Sequence, residues 1–287
     1  MIIVVGATGF IGQAFVRHLC VRNEEHVAVS RRYLDYYDPD RLSQLILDVP
    51  ADFLINAAGF AGQPNVDACE DEKHECLYAN SVLPGRIGQA CERSGIPWGH
   101  VSSGCIYAGT NRGRGFQETD LPNFTFRSNH CSFYSGTKAL GEEVLAGNRE
   151  CYVWRGRMPF NHVSHPKNLL TKLLSYERLL DVRNSLSHLD EFIMACLDCW
   201  KLRLPFGIYH VTNSGSVQTS EVAAMLQSTI APMRTFQFFE DEDEFMRVAA
   251  RAPRSSCVLD NSKAIAAGLR LTDVRDAIAT SLRDWTA

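Results

Sequence analysis

The chain has 287 residues, with 29 Lys and Arg against 33 Asp and Glu, for a formal net charge of −4. That balance offers no basic field for nucleic acid, and no apolar run is long enough to span a membrane. The length exceeds a usual single domain and suits one nucleotide-binding unit with a smaller appendage.

Met1-Ile2-Ile3-Val4-Val5 is short, apolar and rich in β-branched residues, so it reads as a buried parallel strand. It runs straight into Gly6-Ala7-Thr8-Gly9-Phe10-Ile11-Gly12, after which Phe10, Ile11, Ala14, Phe15 and Leu19 recur at helical spacing. Strand, glycine turn and helix in that order form a phosphate cradle: Gly6 permits the turn, Gly9 lets the backbone approach a pyrophosphate, and Gly12 lets helix and strand pack closely. Thr8, Phe10 and Ile11 belong to the same predicted dinucleotide contact. A second strand, His26–Ser30, ends at Arg31-Arg32, where an NAD-selective site would place a carboxylate on the ribose 2′-hydroxyl. Guanidinium groups pair instead with a 2′-phosphate, so Ser30, Arg31 and Arg32 predict NADP(H), with Arg31 the preferred partner.

Asp52–Gly59 reads as a third strand whose small residues Asn56, Ala57 and Ala58 would let adenosine lie against the backbone. A long helical stretch through Glu92 follows; the Gly6, Gly9, Gly12 spacing resembles that of the short-chain dehydrogenases/reductases, and that resemblance implies that Asn80 within this stretch stands behind the catalytic lysine. Trp98–Ser103 is the next strand. Phe133–Lys138 then carries Tyr134 and Lys138 one helical turn apart, and Cys151–Arg155 gives a further strand. The alternation predicts an α/β chain: a doubly wound parallel sheet of Rossmann type with a smaller, interleaved C-terminal substrate lobe. Residues 1–158 would form the NADP-binding part and 159–287 mainly the substrate part, with 184–212 returning to the first through a helix at 186–202 and the strand Gly207–Val211.

A ketone takes hydride readily only if its oxygen receives a proton as negative charge develops. Tyr134 is the predicted acid. A free phenol titrates near ~10, and the Lys138 ammonium beside it would lower that value. Ser103, at the strand end, can donate a second hydrogen bond to the carbonyl. Cys105, two residues on, would face the same way if the segment stays extended, and a thiol near ~8.5 suits exchange of a carbon-bound proton beside a ketone; a buried structural cysteine fits the spacing equally well.

Other clusters carry less. The ten cysteines lack a short disulfide framework, and reduced thiols in a cytoplasmic protein are expected, since an apolar strand starting at Met1 leaves no room for a secretory leader. Cys196 and Cys199 have zinc-ligand spacing but lie in an apparent helix without a second pair, and His162 and His165 lack a completing ligand, so no metal is expected. The acidic run Glu240–Glu244 reads as a solvated helix start.

The runs Asn56–Gly59, Pro64–Asp67, Gly104–Ile106, Thr119–Phe124, Arg157–Pro159, Asn168–Lys172, Asn184-Ser185, Asp190-Glu191 and Ala252–Ser255 make the chain resemble the bifunctional nucleotide-rhamnose synthases. These 3,5-epimerase/4-reductases belong to the extended short-chain dehydrogenases/reductases; dTDP-4-dehydrorhamnose reductases and GDP-fucose synthases are more distant likenesses. The resemblance implies a nucleotide-linked 4-keto-6-deoxyglucose, with UDP or dTDP as carrier, converted to NDP-L-rhamnose by epimerisation at C3 and C5 and NADPH-dependent reduction at C4. It further implies that Cys105 moves protons with Lys172 as first choice of partner and His165 as second, and that Asn161, His165, Lys172 and Arg254 face the substrate, Arg254 on its diphosphate. A reductase acting after a separate epimerase, and a silent NADP-binding subunit like the β subunit of methionine adenosyltransferase, are the competing functions. The chain departs from the family in lacking a preceding dehydratase domain, in a segment Phe126–Cys131 that resembles an insertion, and in His162–His165. Monomer and homodimer both remain open.

Overall fold

The computed structural model describes residues 1–128 and 130–286; Asn129, inside the segment taken as an insertion, and Ala287 lie outside the described residues. Six parallel strands form the main sheet: β1 (Ile2–Val5), β2 (His26–Val29), β3 (Phe53–Asn56), β4 (Trp98–Ser103), β5 (Cys151–Gly156) and β6 (Gly207–His210). They lie in the order β6-β5-β4-β3-β1-β2. Strand order reverses between β1 and β3, so a crevice opens at their carboxyl ends.

Period-two alternation builds a core on each face of this sheet. Ile2, Val4, Phe53 and Ile55 pack under helices α1 (Phe10–Val21) and, from beyond β5, Leu189–Lys201. Ile3, Val5 and Leu54 point the other way, against Leu42 and Ile46 of Pro39–Asp48 and Leu83, Ile87 and Ala90 of Leu83–Ser94. All of β1 and β3 is buried, which is why both read as unbroken apolar runs. A third core gathers Leu170, Leu173, Val222, Leu226, Ile278 and Leu282 around helices Leu169–Ser175, Thr219–Thr229 and Val274–Arg283.

Several boundaries differ from those read in the sequence. The helix Leu169–Ser175 stops short, because Arg178-Leu179 pairs with Gln237-Phe238. Ser187-His188 pairs with Pro159-Phe160, so the return to the main sheet starts at the helix Leu189–Lys201, with His188 as its N-cap, and ends in β6 beside β5. The acidic run is a capped helix start, Asp241 accepting from the Glu244 amide at 2.7 Å. No helix among the described residues is long and apolar enough to cross a membrane.

The helix bearing Tyr134 and Lys138, α2 (Phe133–Val144), begins where the Ser132 hydroxyl accepts from the Ser135 amide at 3.2 Å. Its far end is fixed to the sheet by Glu142. That carboxylate receives Arg155 Nε at 3.0 Å and Nη2 at 2.6 Å, and the Ser102 hydroxyl donates to it as well. Arg155 also donates to the Tyr107 hydroxyl at 2.9 Å and meets His210 Nε2 at 3.1 Å. Burial, then the Arg155 charge, pushes His210 down to about 4, so its ring is neutral: Nε2 accepts from Arg155 while Nδ1 donates to the Asp260 carbonyl at 3.1 Å. The Glu142 and Arg155 side chains are 9% and 3% exposed, so removing one partner strands a charge in the interior. Glu142→Ala should destabilise the protein by about 3–5 kcal/mol, read as a lower urea midpoint; a loss below about 1 kcal/mol would mean that water reaches Arg155.

Candidate active site

At the β1/β3 crevice lies a cavity of about 560 Å³ whose wall includes Gly6, Thr8, Gly9, Ser30, Arg31, Arg32, Ala57 and Ala58. Gly6 has φ +77°, and a Cβ there would stand 2.6 Å from the Ala58 amide nitrogen. A Cβ on Gly12 would meet the Gly6 carbonyl oxygen at 2.1 Å, so this turn and α1 approach more closely than any side chain allows. Gly9 caps α1 without a side-chain acceptor, leaving the helix's first amides directed at the cavity. These features fit a dinucleotide pyrophosphate. Phe10, Ile11 and Gly12 form the first turn of α1, behind that wall.

Asn56 is a correction: it is fully buried, accepts from the Ala58 amide at 3.0 Å and meets His100 Nδ1 at 3.0 Å, so it shapes the loop and does not line the cavity. Tyr36, Tyr37, Phe60, Glu75 and Ala79 line it without having been singled out in the sequence. Their only signal was position, since Tyr36 and Tyr37 follow the second strand and Phe60 the third.

β4 ends at Ser103; its parallel neighbour β3, and β1 beyond that, feed the crevice, and Tyr134 and Lys138 reach the end of β4 through Ser103 and the Val101 carbonyl. Lys138 is buried and its Nζ donates to the Val101 carbonyl at 3.1 Å. Burial pulls the Lys138 ammonium below its ordinary range, with Cys105 and Glu142 opposing. Burial pushes the Tyr134 phenol well up, Cys105 adds to the rise, and a hydrogen bond with Ser103 opposes it. Tyr134 therefore rests protonated, as a proton donor must.

Cys105 is not on an extended segment: the strand stops at Ser103, Gly104–Ile106 is a single 3-10 turn, and Ser103 caps it by accepting from the Cys105 amide at 3.2 Å. The short turn keeps the thiol at the site by another route. Cys105 packs in a small core with Ile106, Tyr107, Ala139 and Tyr134. Burial raises its thiol; a hydrogen bond with Ser103, the Arg157 charge, Ser135 and Lys138 all work against the rise. Arg157 was not anticipated as a site residue. It is buried, donates to Asn184 Oδ1 at 2.7 Å and to the Ser255 carbonyl, and leaves its Nε without a partner among the described residues.

Asn80 meets the helix of Tyr134 and Lys138 at Thr137. It sits in a π-helical turn, Tyr78–Val82, accepts from the Phe60 amide at 2.9 Å, and donates to the Phe60 carbonyl at 2.8 Å and Thr137 Oγ1 at 3.2 Å. It thus ties the cavity wall to the Tyr134 helix. Cys76 joins the same cluster, 3.3 Å from Thr137 Oγ1.

The remaining predicted residues divide. His165 stacks on Phe10 of the glycine turn with ring centroids 4.5 Å apart, and burial and neighbouring Lys167 hold its imidazole low. Lys172, half-buried, is lowered by burial, then by Lys167 and Arg254. Asn161 is buried, its backbone and side-chain oxygens accepting from Asn168 Nδ2, which also donates to the Val163 carbonyl, so it braces the loop from within. Arg254 is already engaged: Asp67 takes Nη1 at 2.7 Å and Nη2 at 2.6 Å.

Asn80→Ala would leave the Phe60 amide and carbonyl unpaired. The expected result is a stability loss of about 1–3 kcal/mol in urea unfolding together with weaker dinucleotide binding; unchanged binding would show that Phe60 holds its place unaided.

Set against known proteins, the chain is 34% identical over 269 residues to the bifunctional dTDP-4-dehydrorhamnose 3,5-epimerase/dTDP-4-dehydrorhamnose reductase of Arabidopsis thaliana, covering 91% of this chain and 85% of that protein. The fold is shared with the L780 UDP-rhamnose synthase of Acanthamoeba polyphaga mimivirus (TM-score 0.90, 23% identity, 99% and 98% of the two chains). It is shared too with a dTDP-4-dehydrorhamnose reductase of Bacillus anthracis str. Ames solved with NADP (TM-score 0.82, 18% identity, 99% and 97%). The family model described as the RmlD substrate binding domain matches residues 1–287, and the chain belongs to that family.

Proposed function

We propose that the protein is an NADPH-dependent enzyme that converts a nucleotide-linked 4-keto-6-deoxyglucose, with UDP or dTDP as carrier, to NDP-L-rhamnose. It would invert C3 and C5 and then reduce C4. One observation carries the reading: a protonated phenol and a buried thiol meet on Ser103 at the carboxyl end of β4, with a buried ammonium on the Val101 carbonyl of the same strand, next to a glycine-walled crevice. The Arabidopsis relative, whose name joins epimerase and reductase, supports the substrate class.

NADPH, when bound, supplies hydride to C4. Residues 1–158, with the return at 184–212, would hold it: Gly6, Thr8 and Gly9 the pyrophosphate, Ser30, Arg31 and Arg32 the 2′-phosphate, Ala57 and Ala58 the adenosine side. Residues 159–287 would hold mainly the sugar nucleotide. Tyr134 gives its proton to the C4 oxygen as negative charge builds, and Ser103 donates a second hydrogen bond to that oxygen. Lys138 then stabilises the phenolate and binds the nicotinamide ribose. Before reduction, the C4 carbonyl acidifies C3 and C5; the Cys105 thiolate takes a proton from one face, and Lys172, or second to it His165, returns one to the other. Epimerisation must come first, because reduction removes the carbonyl that makes those protons acidic.

The second reading, a reductase that receives an already epimerised sugar, is favoured by one fact: burial holds the Cys105 thiol up, against the thiolate that proton exchange needs. Deuterated water separates the two. With UDP- or dTDP-4-keto-6-deoxyglucose and NADPH, deuterium at C3 and C5 of an L-rhamnose product is expected; no deuterium, with NADPH oxidised once the already epimerised ketone is supplied, would leave the reductase alone, and no oxidation with either sugar despite NADPH binding would leave a silent subunit. Tyr134→Phe should lower the reduction rate about 10²–10⁴-fold with NADPH affinity retained. Cys105→Ser should abolish deuterium uptake while sparing reduction of the epimerised ketone. Because the thiol is held above its ordinary value, uptake should still be rising with pH beyond about 8.5, where a free thiol would level off.

A further inference from the structure

The cation offered to the cofactor's 2′-position is already engaged. Arg31 Nη1 lies 3.2 Å from Glu75 Oε1, the side chains being 64% and 41% exposed, and both residues line the crevice. Glu75 comes from the short helix Lys73–Leu77, far from Arg31 in sequence, so no local motif announces it. A second cavity of about 330 Å³ shares Arg31, Tyr37 and Glu75 with the first and adds Asp35, His74 and Tyr78. Rings stack along its wall, Tyr37 on Tyr78 at 4.9 Å and Tyr78 on His74 at 6.2 Å, and Tyr36 of the first cavity stacks on Tyr37 at 5.5 Å. The Arg31 guanidinium lies 6.0 Å from the Tyr37 ring centre, so it is held between that ring and the carboxylate. Arg32 lines the same crevice and enters no ion pair among the described residues.

A 2′-phosphate is a dianion that wants the whole guanidinium fork, whereas a 2′-hydroxyl is a donor that wants an acceptor such as a carboxylate. Both partners stand here side by side. We infer that Glu75 is a specificity-determining residue that opens the site to both dinucleotides: its carboxylate receives the 2′-hydroxyl of NADH, and it competes with the 2′-phosphate of NADPH for Arg31. Arg32 keeps the phosphate bound when Glu75 does not yield. NADP(H) selectivity is therefore shallow in the protein as it stands, and the charge of one side chain sets its depth. This rests on the dinucleotide reading above.

Titrating the full-length protein with NADPH and with NADH, by quenching of its tryptophan fluorescence, tests it. The two dissociation constants should lie within about tenfold of each other in the parent, the range of a balance between one like and one unlike charge near the surface. Glu75→Gln, which keeps shape and removes charge, should tighten NADPH about five- to tenfold and weaken NADH, and Glu75→Ala should shift the ratio the same way. In an Arg31→Gln background the gain for NADPH should shrink. A ratio within twofold of the parent in both Glu75 variants, with both dinucleotides binding, overturns the role of Glu75 and leaves the cofactor reading intact. Failure of the parent to bind either dinucleotide overturns the cofactor reading and the inference with it.

Discussion

The ion pair of Glu142 and Arg155 is the constraint on which the site depends. A guanidinium 3% exposed is tolerable only because each of its nitrogens finds an acceptor, and those acceptors come from α2, from the segment after β4 and from β6. Burial works against the Arg155 charge and Glu142 outweighs it, so Arg155 stays charged. The pair thus fixes the azimuth of α2. Tyr134 and Lys138 lie two turns and one turn upstream of Glu142 on that helix, so their aim at the end of β4 follows from an interaction that touches neither.

From that anchor the site assembles by neighbouring strand ends. Parallel register puts the ends of β1, β3 and β4 on one edge, and the reversal between β1 and β3 opens the crevice there. Asn80 joins the two halves, with its amide on Phe60 of the crevice wall and on Thr137 of α2. Ionic contacts do the same farther out: Asp67 and Asp71 hold Arg254 and Arg251 from the C-terminal part of the chain. Substrate that calls on Arg254 would have to compete with a carboxylate, as a 2′-phosphate would at Arg31.

Much of this was legible in the residues, for a physical reason. Continuous apolar runs such as Ile2–Val5 mark strands buried on both faces, and a glycine turn at the end of one can be read because only glycine fits there. The Tyr134 helix showed itself through the one-turn spacing of Tyr134 and Lys138. Contacts between distant segments could not be read. Glu75 against Arg31 and Glu142 against Arg155 join charges whose pairing depends on how helices fall on the sheet, and sequence spacing says nothing of that. The Gly104–Ile106 turn escaped because a three-residue 3-10 segment has no periodic signature, and Asn56 misled because a strand-end asparagine looks alike whether it faces a ligand or its own loop.

The π turn at Tyr78–Val82 has its own corollary. Such a turn carries one residue more than a regular helix needs. Excising a single amino acid there would let hydrogen bonding re-form in ordinary α-helical phase. Everything upstream would then swing by roughly 100° about the axis relative to the downstream helix. Glu75 and Cys76 would leave their present bearings although neither had been altered. Length at this spot is thus as much a part of the chemistry as residue identity.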